Sequence, residues 1–141
     1  MIHFVDENDY VVIGADALKI LQQSSPEKRH LAEQAAEEEI SGYLRGRYDV
    51  KKVFSQTGID RNMQIVIYYC DIALYHLISW LPGKMGTEIR EERYKRAVEW
   101  LEKVSAGKAI PDLPLPTGPN GEEDTYNPIR YGSGQKNNYD W

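Results

Sequence analysis

The chain has 141 residues, with 17 Lys or Arg against 22 Asp or Glu and a formal net charge of −5. This length fits one domain, and the acidic balance disfavours a protein that grips nucleic acid through a clustered basic face. A single cysteine, Cys70, excludes an intrachain disulfide framework and a multi-thiolate metal site.

The N-terminal stretch MIHFVDENDY lacks the basic start and apolar run of a signal peptide. The run Tyr10–Ile13 is rich in β-prone residues, which predicts a short extended segment docked on the core. Residues 16–23 then place Ala17, Leu18 and Leu21 on one face, which predicts a first short helix. No apolar stretch in the chain reaches membrane-spanning length, so we expect a soluble protein with no membrane partner.

A second helix is predicted from the sequence Ser24-Ser25-Pro26-Glu27, which combines a serine cap, a proline in the first turn and an acid three residues after Ser24. Gly42 and Gly46 in this helix are expected to permit close approach of the next helix. Its other face is expected to be solvated and holds Lys28, Glu33, Glu37 and Glu38. The apolar stripe comprises Leu31, Ala35, Ile40, Tyr43, Leu44 and Tyr48.

The third predicted helix, residues 59–81, is the centre of the domain, and Pro82-Gly83 is expected to end it. It carries two apolar stripes, so it must be covered on more than one side. Two interpretations stay open for the second stripe: burial within the chain, or a subunit contact. The first stripe is Ile59, Met63, Val66, Cys70, Ala73, Leu77 and Trp80. The candidate subunit contact is Ile65, Tyr68, Ile72 and Tyr75, together with Trp100 from the next helix.

A fourth helix is predicted from about Thr87 to Ala106, with Gly107 as its C-terminal stop. Its inner face is formed by Ile89, Tyr94, Ala97, Val98, Leu101 and Val104. The sequence therefore predicts an all-α domain over residues 1–107, a compact bundle of about four helices with a long central apolar helix.

Residues 108–141 are rich in proline, glycine, asparagine and charge and have no helical period. Such a composition buries too little apolar surface to offset its ordering entropy. The segment nevertheless keeps aromatic residues, which favours an extended arm that orders on a partner; a solvated linker with incidental tyrosines is the alternative. Leu113 and Leu115 are expected to pack on the domain or on a neighbour. The predicted contact residues of the arm are Leu113, Leu115, Tyr126, Ile129, Tyr131, Tyr139 and Trp141.

Asp71 lies in the middle of the central helix, where a carboxylate needs a partner. Arg45 and Arg47 at the end of the second helix are the candidates, and we expect a structural ion pair. The three histidines, His3, His30 and His76, are isolated in sequence, and no phosphate-binding glycine loop, nucleophile elbow or metal-ligand pair is present. We therefore expect neither an enzyme nor a cofactor or metal.

Three patterns in this order resemble one known family. The end of the second helix reads EEEISGYLRGRYDV, the central helix contains YYCDIALYHL, and the last helix reads ERYKRAVEWLEKVSAGK. This order is similar to the small head–tail adaptor, or head-completion, proteins of tailed bacteriophages, in the subgroup of Mu-like phages and prophages. Lys51 stands where the family often has proline, and Gly14-Ala15-Asp16 replaces the usual threonine or serine helix start. The residues that carry the match are Glu39, Ile40, Tyr43, Leu44, Arg47, Tyr48, Asp49, Val50, Asp71, Ile72, Ala73, Tyr75, Tyr94, Ala97, Trp100, Leu101 and Gly107.

The resemblance implies a structural neck protein of the virion, assembled in the host cytoplasm. Such a protein forms a homo-oligomeric ring, commonly of about twelve copies, between the portal protein and the next neck or tail protein. Genome DNA would pass through its channel without specific binding. The alternative function is a small helical DNA-binding or regulatory protein, which requires a basic recognition helix. In the fourth helix the basic residues alternate with glutamates, which is typical of a solvated, ion-paired face.

Overall fold

The computed structural model describes residues 4–80 and 87–116, and in this part of the chain it contains six α-helices, one 3-10 turn at Gly58–Asp60 and no strand. The predicted all-α class is confirmed. The arm residues Tyr126, Ile129, Tyr131, Tyr139 and Trp141, and the predicted stop at Pro82-Gly83, lie outside the described residues. The helices are α1 (Glu7–Ile13), α2 (Ala15–Gln23), α3 (Pro26–Leu44), α4 (Val50–Ser55), α5 (Met63–Ile78) and α6 (Thr87–Ser105).

Helix α1 occupies the run that was predicted to be extended, so that prediction is wrong. A reciprocal capping box starts the helix: the backbone N–H of Asp9 donates to Asp6 Oδ1 at 3.2 Å, and that of Asp6 donates to Asp9 Oδ2 at 2.9 Å. The cap satisfies two of the backbone donors that a helix start leaves free. Together with burial of Tyr10 it outweighs the β-propensity of the valines.

Helix α3 begins with the predicted serine cap and proline, but the cap is one residue later than predicted. Ser25 is the cap, since its Oγ accepts from the N–H of Lys28 at 3.2 Å, and Pro26 is the first helical residue. The predicted apolar stripe is partly wrong, because Leu31 is 56 % exposed and Ala35 is exposed. The helix is rotated so that the next positions face the core. Its buried residues are Ala32, Glu33, Ala36, Ile40, Ser41 and Leu44.

Helix α5 is the central helix, as predicted, and it packs chiefly against α3 and α6 and also against α1. It starts later than expected, because Asn62 caps it by accepting from the N–H groups of Gln64 and Ile65. Ile59 therefore lies in the preceding 3-10 turn and is fully exposed. Ten of the sixteen residues of α5 are buried, so most of its circumference is covered by its own chain.

The turn between α3 and α5 contains α4, which the sequence did not predict. Asp49 caps it, its Oδ1 accepting from the N–H of Lys52 at 3.2 Å. Gly46, with φ of +92°, reverses the chain after α3, a conformation that glycine adopts without steric cost. The predicted close approach at the glycines is wrong: a Cβ added at Gly42 or Gly46 would meet no atom within 4 Å.

Helix α6 ends in a Schellman motif. Gly107 has φ of +79°, its N–H donates to the carbonyl of Val104 at 3.1 Å, and the N–H of Lys108 donates to that of Lys103 at 2.8 Å. The reversal directs residues 108–116, hereafter the strap, back over the helices. Leu113 in the strap is only 6 % exposed. Packing of the domain thus continues beyond the predicted boundary at 107 and through at least Leu115.

Candidate interaction site

Asp71 is paired with α6, and the predicted partners Arg45 and Arg47 are wrong. Arg93 Nε donates to Asp71 Oδ1 at 2.7 Å, and Arg90 Nη1 lies 3.8 Å from the same oxygen. Arg45 instead pairs with Glu38 at 2.9 Å, and Arg47 Nε donates to the carbonyl of Ser105 at 2.8 Å. Asp71 therefore fixes α6 against α5, whereas the end of α3 is held by the contacts of Arg45 with Glu38 and of Arg47 with Ser105.

Arg90 is the charged residue that sequence reasoning missed. Its side chain is 2 % exposed, and its Nη2 lies 3.7 Å from Asp16 Oδ2 of α2. Among the described residues its Nε and Nη1 have no hydrogen-bond partner. Burial lowers the pKa of Arg90, and the two carboxylates oppose that shift. The signal was available, because Arg90 lies in phase with the buried Ala97, Leu101 and Val104.

Burial also raises the pKa of Asp71, against the hydrogen bond and charge of Arg93 and the charge of Arg90. Removing water from a carboxylate is costly, and paired cations compensate for this cost only when the geometry is close. The cluster Asp71–Arg90–Arg93 therefore orients two helices. By fixing α6 against α5, the cluster also fixes the surface that these two helices form together.

That surface is an aromatic ridge formed by Tyr68 and Tyr75 of α5 with Tyr94 and Trp100 of α6. Tyr75 and Tyr94 stack with ring centroids 4.1 Å apart, and Tyr68 packs on Trp100 at 5.1 Å. All four side chains are intermediate in exposure. Half-buried aromatic residues held in fixed positions are typical of the residues that dominate binding energy at interfaces.

Glu39 of α3 anchors one end of the ridge. It accepts from the hydroxyl of Tyr94 at 2.7 Å, and its other oxygen lies 3.4 Å from His76 Nε2. The hydrogen bond with His76 is the main cause of a lowered Glu39 pKa, with Tyr94 acting in the same direction and burial against it. The stacked tyrosine is thereby tied to a third helix.

The structure divides the predicted subunit-contact residues into two groups. Ile65 and Ile72 have no exposed surface and belong to the core of their own chain, so their prediction as contact residues is wrong. Tyr68, Tyr75 and Trp100 lie together on the aromatic ridge. Burial within the chain, the first of the two interpretations, holds for the isoleucines because α3 and α6 cover α5 on both sides.

A second candidate surface is the strap cavity, an open cavity of about 460 Å³ between the strap and the ends of α3 and α6. The strap is held by two backbone carbonyls: that of Asp112 accepts from Asn62 Nδ2 at 3.2 Å, and that of Pro114 accepts from the N–H of Asp49 at 2.9 Å. The residues that define the cavity include Arg47, Tyr48, Val104, Ile110, Leu113 and Leu115.

The N-terminal residues are fastened by Arg61. Its guanidinium donates to both carboxylate oxygens of Asp9, at 2.8 and 3.1 Å, and to the carbonyl of Phe4 at 2.7 Å. Although burial acts to raise the pKa of Asp9, the hydrogen bonds from Arg61 and from Asp6 lower it below its usual range. This bidentate pair joins α1 to the start of α5.

Within residues 4–80 and 87–116, no group of three or more His, Cys, Asp or Glu side chains is placed to hold a metal ion. Cys70 is buried, and burial is the main cause that raises its pKa well above the usual range. The helices in the same part of the chain include none that is long and apolar enough to cross a membrane.

The family model described as "Bacteriophage Mu, Gp36" matches residues 10–127 of the chain. No curated protein and no solved structure matches.

Proposed function

This chain belongs to the bacteriophage Mu Gp36 family and is a Mu-like phage protein of the structural or morphogenetic class; from that premise we propose that it is a neck protein of the virion. It forms a homo-oligomeric ring between the portal protein and the next neck or tail protein. The ring extends the channel for the genome and acts without catalysis, cofactor or metal.

The observation that carries the proposal is the aromatic ridge. Two aromatic pairs, Tyr75–Tyr94 and Tyr68–Trp100, bridge α5 and α6 and keep part of their surface exposed. The buried cluster around Asp71 fixes the two helices that present them. A rigid aromatic surface of this kind loses little conformational freedom on binding, which suits a permanent contact between subunits or with the portal.

The charge of the chain suits a channel wall. A net charge of −5 per subunit makes a ring of many copies strongly anionic. Such a wall repels the DNA backbone and keeps the genome from adhering as it passes.

The alternative, a helical DNA-binding protein, is disfavoured because the arginines of α6 are paired with carboxylates of the same chain. Arg90 and Arg93 are engaged by Asp71, and Arg96 pairs with Glu92 at 3.1 Å. A recognition helix needs its arginines free for phosphates and base edges. Salt-dependent binding of duplex DNA by the purified protein would favour this alternative.

The decisive experiment is native mass spectrometry of the chain mixed with the portal oligomer of the same phage. We expect the chain to add in a fixed multiple that matches the portal symmetry. A Trp100→Lys variant tests the ridge, and Leu31→Lys is its control, because Leu31 is an apolar residue that is 56 % exposed but lies on α3. Circular dichroism verifies that both variants fold.

Loss of the complex with Trp100→Lys and its retention with Leu31→Lys would support the ridge as the contact. Absence of binding by the unaltered chain would contradict the proposed function. Equal binding by both variants would leave the ring but exclude this surface.

A further inference from the structure

We propose that the strap cavity is the docking site for the C-terminal tail, residues 117–141, of a second copy of this chain. The tail carries Tyr126, Tyr131, Tyr139 and Trp141. This inference rests on the ring proposed above and names the contact that links one subunit to the next.

The lining of the cavity matches aromatic side chains. Val104 and Leu113 form its floor and are at most 6 % exposed, whereas Ile110 on the strap is 81 % exposed. An isoleucine this exposed beside an open apolar cavity gains free energy when a second apolar group covers it. A cavity of about 460 Å³ falls in the range of sites that enclose ring-sized groups.

The charges are complementary as well. Arg47 lines the cavity and keeps its positive charge there while its Nε holds the carbonyl of Ser105. Lys108 begins the strap, between the lining residues Gly107 and Ala109, and is exposed; with Arg47 it outnumbers Asp112, the acid that also lines the cavity. The tail brings four acids, Glu122, Glu123 and Asp124 just before Tyr126 and Asp140 just before Trp141, against two cations, Arg130 and Lys136, so it is acidic on balance. Each end of the aromatic series is therefore accompanied by acids that suit this basic rim.

The length of the chain favours a neighbour's tail over the chain's own. Leu115 itself lines the cavity, so the chain's own tail would have to reverse direction to re-enter it. Tyr126 follows Pro116 by about ten residues, an extended reach of roughly 33 Å. A domain of this size is about 34 Å across. The first aromatic of the tail thus reaches about one domain width, and the later ones, Tyr131, Tyr139 and Trp141, reach beyond it to the next copy.

Such a contact joins two different surfaces of the same chain. A contact of this heterologous type repeats from copy to copy and closes into a ring when the rotation between copies allows it. The tail and the strap cavity therefore supply the geometry that the ring requires.

Disulfide trapping tests the proposal on the full chain, because the single native cysteine, Cys70, has no exposed surface. Two variants, Ile110→Cys and Tyr126→Cys, are purified separately, mixed with and without the portal oligomer, and oxidised. We expect a cross-linked dimer in at least about tenfold greater yield than with Leu31→Cys as the partner of Tyr126→Cys. Leu31→Cys is the matched control because Leu31 is also exposed and does not line the cavity.

Equal yields from Ile110→Cys and Leu31→Cys, or no dimer in either condition, would overturn the inference. A double variant that carries both cysteines must cross-link between chains, and an exclusively intrachain product would also overturn it. The two proposals fail separately. A ring that forms normally on the portal without the cross-link contradicts only the tail contact, whereas the cross-link without portal binding contradicts only the neck function.

Discussion

The α5–α6 interface and the strap are attached to the same core by opposite means. Helix α6 is joined to α5 by a buried cluster of charges and by stacked aromatic rings, so several contacts fix its position at once. The strap has no regular structure. Leu113 is its buried residue, Ala109 and Leu115 are partly buried against the core, and beyond the turn that ends α6 its carbonyls accept two hydrogen bonds. The interface is thus specified redundantly, whereas the strap depends on few groups. Substitutions in the two regions test this difference.

The largest effect is expected for Asp71→Ala. This substitution leaves Arg90 buried without its compensating carboxylate and removes the partner of Arg93. Breaking a buried ion pair from one side costs about 3–5 kcal/mol. Urea unfolding measures the loss. Glu92→Ala is the control, since its pair with Arg96 is exposed and should contribute at most about 0.5 kcal/mol. Unchanged stability of Asp71→Ala would show that the cluster does not hold the interface.

The strap should respond less, through Leu113→Ala. Leu113 is 6 % exposed, and truncating a buried leucine costs about 2–5 kcal/mol. We expect the lower end, because a strap held by few contacts can relax into the vacated space. Ile110→Ala is the control, being 81 % exposed. A truncation after residue 116 should retain the stability of the full chain, whereas one after residue 107 should lose at least as much as Leu113→Ala. Equal stability of both truncations would contradict the role of the strap.

The helical regions could be read from the sequence, but the contacts between them could not. The apolar periods located α5 and α6, since burial on several sides and capping residues leave a local signature. Helix α4 was missed because six residues are too few to show a period. The partners of Asp71 were misassigned because Arg45, Arg47 and Arg93 are all distant from it in sequence, and only the packing of α6 brings Arg93 near. The partners of a side chain in another helix thus depend on tertiary structure rather than on a local sequence pattern.

A pH titration distinguishes Asp71 of the α5–α6 interface from Asp9, the carboxylate that pairs with Arg61 and fastens α1. The folded pKa of Asp9 is lowered, so its ionised form stabilises the fold above the unfolded value of about 3.9. That stability is lost as the pH falls through the lower, folded pKa. Asp71, whose pKa is raised, has the opposite sign: its contribution falls as the pH rises from the unfolded value to the folded one.

We therefore expect Asp9→Asn to flatten the loss of stability below about pH 4, as measured by urea unfolding at several pH values. Glu27→Gln is the control, because Glu27 is exposed in the first turn of α3. An acid-side slope that Asp9→Asn leaves unchanged would show that the Arg61–Asp9 pair does not contribute to acid sensitivity.

The smallest effects are expected at two glycines, and their signs differ. Gly42 lies within α3, where an added Cβ meets nothing within 4 Å, so Gly42→Ala should stabilise the protein by about 0.5 kcal/mol because alanine loses less entropy in a helix. Gly107, with φ of +79°, directs the chain from α6 into the strap, and Gly107→Ala should cost about 1 kcal/mol because a Cβ is strained there. Thermal unfolding of both variants gives the signs. If Gly42→Ala destabilises the protein, α3 needs its glycine for packing after all. If Gly107→Ala is neutral, the position of the strap does not depend on the Schellman turn. The strap would then not be the sparsely held region that the comparison with the α5–α6 interface assumes.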